Sequence, residues 1–365
     1  MKNKVIFISA GGTGGHIFPA LILSDKLKKQ GYQLYFITDK RGIKFITNQN
    51  KDNIFNKIYI IPASGFSGKN LFKKFMSLLN VCAGFFISVC LILKYKPKLT
   101  IGFGGYTTVP VIIGSKILLK RTIIHSADTV FGLSNKVLSF FANKICVSFK
   151  EVLNIPKINC NKVIFTALPI NDDFYKLSSK PYVIDNNKIN ILITGGSLGA
   201  VALSVPVASV IANLPQYIKN KLYIFHQVNI DSLSEVKRIY KNSKINATVD
   251  TFFNNTSELL YKCNLFIGRA GASTVYEIMT IKRPSIFIPL LHKDRHQIIN
   301  AEFLEKVGAS IIILQNYDFM NSLNRVLVHL LSDTSKLKLM HQNLQKIKTY
   351  KAIPRLLKVV NEFME

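Results

Sequence analysis

Two glycine-rich turns stand where a β-branched run gives way to a helical pattern. They are Ala10-Gly-Gly-Thr-Gly-Gly-His16 near the start of the chain and Thr194-Gly-Gly-Ser-Leu-Gly-Ala200 past its middle. Glycines at a strand-to-helix turn let the backbone approach an oxyanion, and the free N–H groups at the helix start favour phosphate. Neither turn is a P-loop, because no Gly-Lys-Ser/Thr follows. The dinucleotide fingerprint is also poor: the first turn lacks its spacing, and Gln33–Thr38 ends without a ribose-binding acid, Asp39 lying just past it. A third glycine turn, Gly102-Phe-Gly-Gly-Tyr106, adds to the expectation of a phosphate-rich ligand.

A more specific pattern follows in Leu265-Phe-Ile-Gly-Arg-Ala-Gly-Ala-Ser-Thr-Val-Tyr-Glu277, which puts a strand, a small-residue turn and a helix in order. Ser273, Thr274 and Glu277 fall on the first turns of that helix, with Ser273 and Glu277 one above the other at i, i+4. Glu277 could hold a ribose diol while the Gly271–Thr274 amides meet a diphosphate; the plainer alternative is an acid that complements the helix dipole. His292 and His296 are spaced as zinc ligands on a helix, but a zincin needs Glu where Lys293 stands, so no metal site is expected. Asp294, His296, Gln297 and Asn300 read instead as polar groups at the C-terminal end of a strand, where ligands of open α/β sheets bind.

The elements that must carry these groups alternate regularly. Val5–Ser9, Gln33–Thr38, Ile58–Ile61, Leu99–Phe103, Thr122–His125 and Lys144–Ser148 read as strands, and Ile17–Gln30 as a helix ending at Gly31. After a polar, proline-marked stretch the alternation resumes with strands Ile189–Thr194, Leu222–Gln227, Leu265–Gly268, Ser285–Pro289 and Ser310–Leu314. Helices Ser232–Asn242, Ser273–Ile281 and Arg295–Val307 lie between them. Near-continuous apolar strands separated by helices imply parallel sheets covered on both faces. The expected architecture is α/β: two doubly wound, Rossmann-like domains at 1–166 and 188–352, a linker at 167–187, and a cleft between the domains.

At 365 residues and 48% hydrophobic composition the chain can bury a core in each domain. Its five cysteines contain no CxxC pair, so a disulfide framework or structural zinc is not expected and a reducing compartment fits. The net charge of +28 attracts polyanions, whether nucleic acid, anionic lipid or diphosphates, and equally fits a codon bias toward Lys and Asn. No nucleic-acid-binding module is recognisable, so nucleic acid is not an expected partner. The uncharged run Phe75–Leu93, flanked by Lys73, Lys74, Lys94 and Lys96, approaches the length of a transmembrane helix. Ser77, Asn80, Gly84 and Ser88 within it, and the strand that follows, favour a helix packed on a sheet. Lys69, Lys73 and Lys74 beside Phe72, Phe75 and Met76 suit docking on an anionic membrane surface without crossing it.

In the order and spacing of five motifs the chain resembles, nearly end to end, the MurG family, the UDP-N-acetylglucosamine:lipid I N-acetylglucosaminyltransferases of bacterial peptidoglycan synthesis. The motifs are Gly11-Gly-Thr-Gly-Gly-His16, Gly104-Gly-Tyr106, Gly195-Gly-Ser-Leu-Gly-Ala200, Arg269-Ala-Gly-Ala-Ser-Thr274 with Glu277, and His292-Lys-Asp-Arg-His-Gln297 with Asn300. The resemblance implies a GT-B fold and a metal-independent, cofactor-free, inverting transfer of GlcNAc from UDP-GlcNAc to the MurNAc 4-hydroxyl of lipid I. It implies a peripheral enzyme on the cytoplasmic face of the inner membrane, serving cell-wall synthesis and hence cell shape and division. A C-terminal helix, here 353–364, would cross back to the first domain.

By the same resemblance Ser197 meets the donor diphosphate, Phe253 lies near the uracil, and Arg269, Ala272, Ser273 and Thr274 line the nucleotide. Glu277 binds the ribose and Gln297 contacts the sugar. Thr13, Gly14, Gly15, Asp128 and Asn171 complete the donor set, while Gly104, Gly105 and Tyr106 shape the acceptor side. There the acceptor diphosphate would rest on the first glycine turn. Inverting transfer needs a base near the acceptor hydroxyl and stabilisation of the departing diphosphate. His16 is the first candidate for base, with helix capping as its alternative role. Two positions depart from the family pattern: His125-Ser-Ala-Asp128 stands where His-Glu-Gln-Asn is usual, and Ala167-Leu-Pro-Ile-Asn171 lacks a terminal Arg. Asp128 is the second candidate for base. A diacylglycerol glycosyltransferase of the same architecture, or a nucleotide-sugar-binding protein with weakened catalysis because of Ser126 and Asn171, are the competing readings.

Overall fold

The computed structural model describes residues 4–48, 51–63, 65, 70–196, 201–291 and 295–365. The chain divides into two compact units, Met1–Ile170 with Tyr350–Glu365, and Asn171–Thr349.

The first unit is built on strands β1 Val5–Ser9, β2 Gln33–Thr38, β3 Lys57–Ile60, β4 Leu99–Gly102, β5 Arg121–Ser126, β6 Lys144–Val147 and β7 Val163–Phe165. Its helices are α1 Gly14–Lys29, α2 Gly42–Asn48, α3 Leu71–Tyr95, α4 Thr108–Ile117 and α5 Leu133–Phe141. The strands are all parallel in the order β3-β2-β1-β4-β5-β6-β7. The order therefore reverses between β1 and β4. The inner strand β4 is buried along its whole length, as a strand covered on both faces requires, whereas β3 at the edge has no buried residue. Helix α1 stops where Gln30 caps it and Gly31 takes φ +81°, a conformation that glycine adopts without a Cβ penalty.

The second unit carries helices α6 Asp172–Ser178, α7 Val201–Ala212, α8 Gln216–Lys219, α9 Leu233–Asn242, α10 Thr256–Lys262, α11 Ala272–Ile281, α12 His296–Glu305, α13 Phe319–Ser332 and α14 Ser335–Gln345. Its strands are β8 Ile189–Thr194, β9 Leu222–Gln227, β10 Asn246–Asp250, β11 Leu265–Gly268, β12 Ser285–Phe287 and β13 Ser310–Ile312. They form a parallel sheet in the order β10-β9-β8-β11-β12-β13, reversing between β8 and β11. Ile191, Ile193, Ile224 and Ile267 of this sheet share one buried core with Val207 of α7 and Leu323 of α13.

Two segments differ from their sequence-based reading. The polar stretch 167–187, expected as a linker, contains the short helix α6. Ala167, Leu168 and Ile170 are buried in the first unit, and Asn171 caps α6 by accepting from Asp173 N at 3.1 Å. Asp172 and Asp173 then complement the start of that helix. Strands β7 and β10 are additional; β7, Val-Ile-Phe, is apolar but only three residues long, and β10 alternates polar side chains at a sheet edge and shows no apolar run.

Among the described residues one helical stretch, Phe75–Tyr95 of α3, is long and apolar enough to cross a membrane. It connects β3 to the parallel strand β4 and packs along α4. Ser88 Oγ donates to Gly84 O, Ser77 Oγ donates to Gly65 O at 3.1 Å, and Leu91 and Ile92 are buried. The opposite face leaves Phe72, Phe75 and Phe86 exposed by 72%, 57% and 68%. Lys69 and the side chains of Lys73 and Lys74 lie outside the described residues.

Helix α15, Ala352–Met364, belongs to the first unit and packs on α1 and β4 through Leu356, Val359, Val360 and Met364. Lys98 Nζ donates to Met364 O, and the Arg355 guanidinium lies 5.3 Å over the Phe165 ring.

Candidate active site

In open parallel sheets, ligands bind outside the carboxyl ends of the strands where the strand order reverses. Both units place glycine turns there. In the first, the turn after β1 and the turn after β4 lock together. Gly11 N donates to Gly104 O at 3.3 Å, and a Cβ on Gly105, whose φ is +82°, would stand 2.5 Å from Gly11 O. Only glycine fits this approach of two main chains.

His16 lies on the first turn of α1, half-buried, with its ring over Gly104. Its Nδ1 is 3.1 Å from Gly11 O. A carbonyl only accepts, so Nδ1 carries the hydrogen and the neutral ring keeps its lone pair on Nε2, the arrangement a proton acceptor needs. Thr13 occupies the N-cap position with extended backbone and no capping side-chain bond, and Gly14 and Gly15 open the helix. Thr13 and Gly15 are exposed, Gly14 buried. Tyr106 packs its ring against Gly65.

On β5, His125 is fully buried, donating from Nε2 to Ala167 O at 3.2 Å with its ring 5.2 Å from Phe103. Burial pushes it down to about 4; the Ala167 bond opposes this and the nearby His16 ring adds slightly to it. His125 is therefore neutral at pH 7. The next residue, Ser126, is buried where the family pattern has Glu, and its carbonyl accepts from Ser148 Oγ at 3.0 Å. Asp128 lies two residues beyond the strand, half-buried and already engaged by another group of the chain.

The second unit brings the donor candidates together around α11. The turn after β11 buries Arg269, whose Nη1 donates to Ile288 O at 2.9 Å; burial lowers its proton affinity. Asn300 Nδ2 donates to Ala270 O at 3.2 Å, so α12 braces the same turn. Gly271 is the N-cap of α11, Ala272 its first residue and Thr274 is half-buried. Ser273 Oγ is buried without a partner among the described residues. One turn on, the half-buried Glu277 makes no hydrogen bond or ion pair to any described residue, and burial pushes its carboxyl up to about 8. A half-buried carboxyl and a buried hydroxyl on one helix face, both unsatisfied by the described protein groups, have the character of groups that wait for a ligand.

Other candidates sit farther from this helix face. Gln297 Oε1 accepts from Leu290 N at 2.9 Å, which spends one of its acceptor positions on the loop after β12. Phe253 follows β10, at the opposite edge of the sheet from β12, and is half-buried with its carbonyl bonded to Thr256 Oγ1. Asn171 uses its side-chain oxygen to cap α6, which in turn packs on α11. Ser197, with the rest of 197–200, and His292, Lys293 and Asp294 lie outside the described residues. No cluster of His, Cys, Asp and Glu suited to a metal occurs among the described residues.

Sequence reasoning passed over Asp39, reading it only as a misplaced ribose acid. It is 6% exposed and accepts from Gly12 N, Arg41 N and Gly42 N. The signal was present: Asp39 stands three residues before Gly42, the first residue of α2, as a capping residue does.

Residues 6–147 match the glycosyltransferase family 28 N-terminal domain and residues 190–356 its C-terminal domain. With two parallel sheets, each presenting glycine turns at its switch point, the chain is an α/β glycosyltransferase of GT-B fold. Over 356 residues, 97% of this chain and 98% of the relative, it is 34% identical to UDP-N-acetylglucosamine--N-acetylmuramyl-(pentapeptide) pyrophosphoryl-undecaprenol N-acetylglucosamine transferase of Wolbachia sp. subsp. Brugia malayi (strain TRS). The protein of the same name from Paramagnetospirillum magneticum (strain ATCC 700264 / AMB-1) is 33% identical over 318 residues, 86% of this chain and 85% of the relative. Among solved structures, Acinetobacter baumannii MurG superimposes with a TM-score of 0.76 at 26% identity, covering 98% of this chain and 99% of that chain. The chain belongs to the MurG family of glycosyltransferases.

Proposed function

We propose that this enzyme transfers N-acetylglucosamine from UDP-N-acetylglucosamine to the 4-hydroxyl of the MurNAc unit of lipid I, with inversion and without a divalent ion, giving lipid II. The observation that carries the donor half is the pair Ser273 and Glu277: a buried hydroxyl and a half-buried carboxyl one helical turn apart, at a sheet switch point, with no described protein partner. In this reading Glu277 accepts from the ribose hydroxyls, Ser273, Thr274 and the amides at the start of α11 meet the diphosphate, and Arg269 holds the turn. Ser197, Phe253, Gln297 and Asn171 complete the donor contacts.

The acceptor diphosphate rests at the first glycine turn, beside Thr13, Gly14, Gly15 and the Gly104–Tyr106 turn. The acceptor oxygen attacks the anomeric carbon, the bond from that carbon to the phosphate oxygen breaks, and UDP leaves with the electron pair. The proton of the attacking hydroxyl passes to a base. His16 is favoured for this role because its Nδ1 bond leaves Nε2 as the acceptor; Asp128 is the second candidate. The charge gathered on the leaving diphosphate is met by N–H groups at helix starts, the part a metal plays in other transferases.

The exposed apolar face of α3 supports peripheral docking on an anionic bilayer at the cytoplasmic face of the membrane, where the lipid-linked acceptor resides. Incubating the protein with lipid I and labelled UDP-N-acetylglucosamine in EDTA tests the whole reading. Labelled lipid II is expected. A strict requirement for added Mg²⁺ overturns the metal-free mechanism, transfer to diacylglycerol instead overturns the acceptor, and donor binding without turnover identifies a protein with lost catalysis.

A further inference from the structure

We propose that Arg41 is a phosphate-binding residue of the acceptor side, with Asp39 as the positioning residue that presents it. This rests on the reading above that the acceptor diphosphate meets the first glycine turn. It adds a charge to that turn, which its glycines do not carry.

Asp39 directly follows β2, the neighbour of β1, and is 6% exposed. Its Oδ1 accepts from Gly12 N at 3.3 Å, Arg41 N at 3.2 Å and Gly42 N at 2.7 Å, and its Oδ2 from Arg41 Nη2 at 3.1 Å. One carboxylate thus ties the turn after β1 to the start of α2. The consequence for binding is direct. Gly12 N–H is already taken by a protein anion, so a phosphate at this turn is left with the amides at the start of α1.

Arg41 is placed to supply the missing attraction. Its side chain is 65% exposed, yet one edge of the guanidinium is pinned, and Nη2 lies 3.5 Å from the position a Cβ on Gly12 would take. The group therefore lies over the glycine turn. Guanidinium offers five donors in a rigid fork, and Asp39 occupies one edge of it. The side chain is otherwise largely exposed, as are Thr13 and Gly15 in the same turn. A further polar group faces the turn from below: Thr107 Oγ1, in a residue 1% exposed, abuts the open side of Gly11 and has no partner among the described residues. A simple surface ion pair does not account for the arrangement, since such pairs contribute little and do not need a buried carboxylate with three backbone donors.

The test uses initial rates with a short-prenyl lipid I analogue and UDP-N-acetylglucosamine, each varied in turn. Arg41→Ala is expected to raise the acceptor KM about tenfold or more, the effect of one lost charge-assisted hydrogen bond, with donor KM and kcat within about twofold. Arg41→Lys should recover part of the loss. Asp39→Asn should raise the acceptor KM in the wild-type background and add less than about twofold to Arg41→Ala, because it acts through that residue; a merely structural Asp39 would lower the melting temperature and leave the acceptor KM unmoved. An acceptor KM for Arg41→Ala within twofold of wild type overturns the assignment, and full additivity of the two changes overturns the role of Asp39. If the wild type forms no product from lipid I, the transfer reading itself fails, and titration with farnesyl diphosphate decides. Equal binding to wild type and Arg41→Ala overturns the phosphate site, and at least tenfold weaker binding to the variant upholds it.

Discussion

Replacing Glu277 with Gln should abolish a proton exchange that the wild type performs on binding UDP-N-acetylglucosamine. Burial raises the Glu277 carboxyl from an ordinary value of 4.5 to about 8, so at pH 7 roughly nine-tenths of the free enzyme carries a proton there. A ribose diol donates two hydroxyl hydrogens, which a carboxylate accepts better than a carboxylic acid does. Binding therefore draws the group toward its ionised form and releases up to about 0.9 proton at pH 7. Ionising a group about one unit below its pKa costs about 1.4 kcal/mol, so donor affinity should be about tenfold weaker at pH 7 than at pH 9. Calorimetry at pH 7 in phosphate and in Tris, whose ionisation enthalpies differ, reads the released proton directly. Glu277→Gln keeps the shape but cannot ionise, so its binding heat should not depend on buffer and its affinity should be flat with pH. A wild type without buffer dependence, or a Gln variant with the same dependence, would refute the ribose assignment. Stability carries the same sign in reverse. The folded carboxyl holds its proton more tightly than the unfolded one, so wild-type stability falls as pH rises from about 4.5 to about 8. Glu277→Gln should therefore melt higher than wild type at pH 9 and match it near pH 4.5.

Three further outcomes are expected. His16→Gln should lower kcat by roughly a hundredfold or more, as loss of a general base does, with donor affinity within about twofold because the ribose and diphosphate groups around Glu277 and Ser273 lie in the other unit; a fall below tenfold would leave His16 a packing role against Gly104. Phe75→Asp combined with Phe86→Asp should weaken sedimentation with anionic vesicles at least tenfold, by removing apolar area worth about 1.5–3 kcal/mol per ring when fully buried, and should leave the melting temperature unchanged. Gly105→Ala puts a side chain at φ +82° against Gly11 O; it should cost about 2 kcal/mol or more in thermal unfolding and abolish transfer.

Most of the architecture was legible because the chain writes it in a simple order: apolar run, glycine turn, helix, repeated in both halves. Inner strands such as β4 and β11 are buried throughout and therefore read as near-continuous apolar sequence. The edge strand β10, Asn246-Ala-Thr-Val-Asp250, does not, because one of its faces meets solvent. The capped helix α6 was hidden inside a stretch whose polarity and prolines suggested a linker. At the site, Ser273 and Glu277 were found from helical spacing alone, since i, i+4 neighbours share a face whatever surrounds them. Their lack of protein partners depends on the third dimension, as does the function of Asp39. Its carboxylate reaches Gly12, 27 positions away in sequence, only because β2 lies beside β1. Buried Arg283 was equally invisible. It lies between the rings of Tyr182 and Tyr261 and donates to Tyr261 O at 2.8 Å, contacts that come from three separate stretches of chain.

Helix α15 is made after the second unit but closes the first. On the ribosome, residues 4–170 emerge with the apolar surface that Leu356, Val359, Val360 and Met364 will cover still open to water. Every strand of the second unit's sheet lies between residues 189 and 312, so the whole of that sheet is translated before α15. The nascent first unit stays sticky for the whole time needed to translate about 180 further residues, a window in which chaperones or a nearby bilayer can reach it.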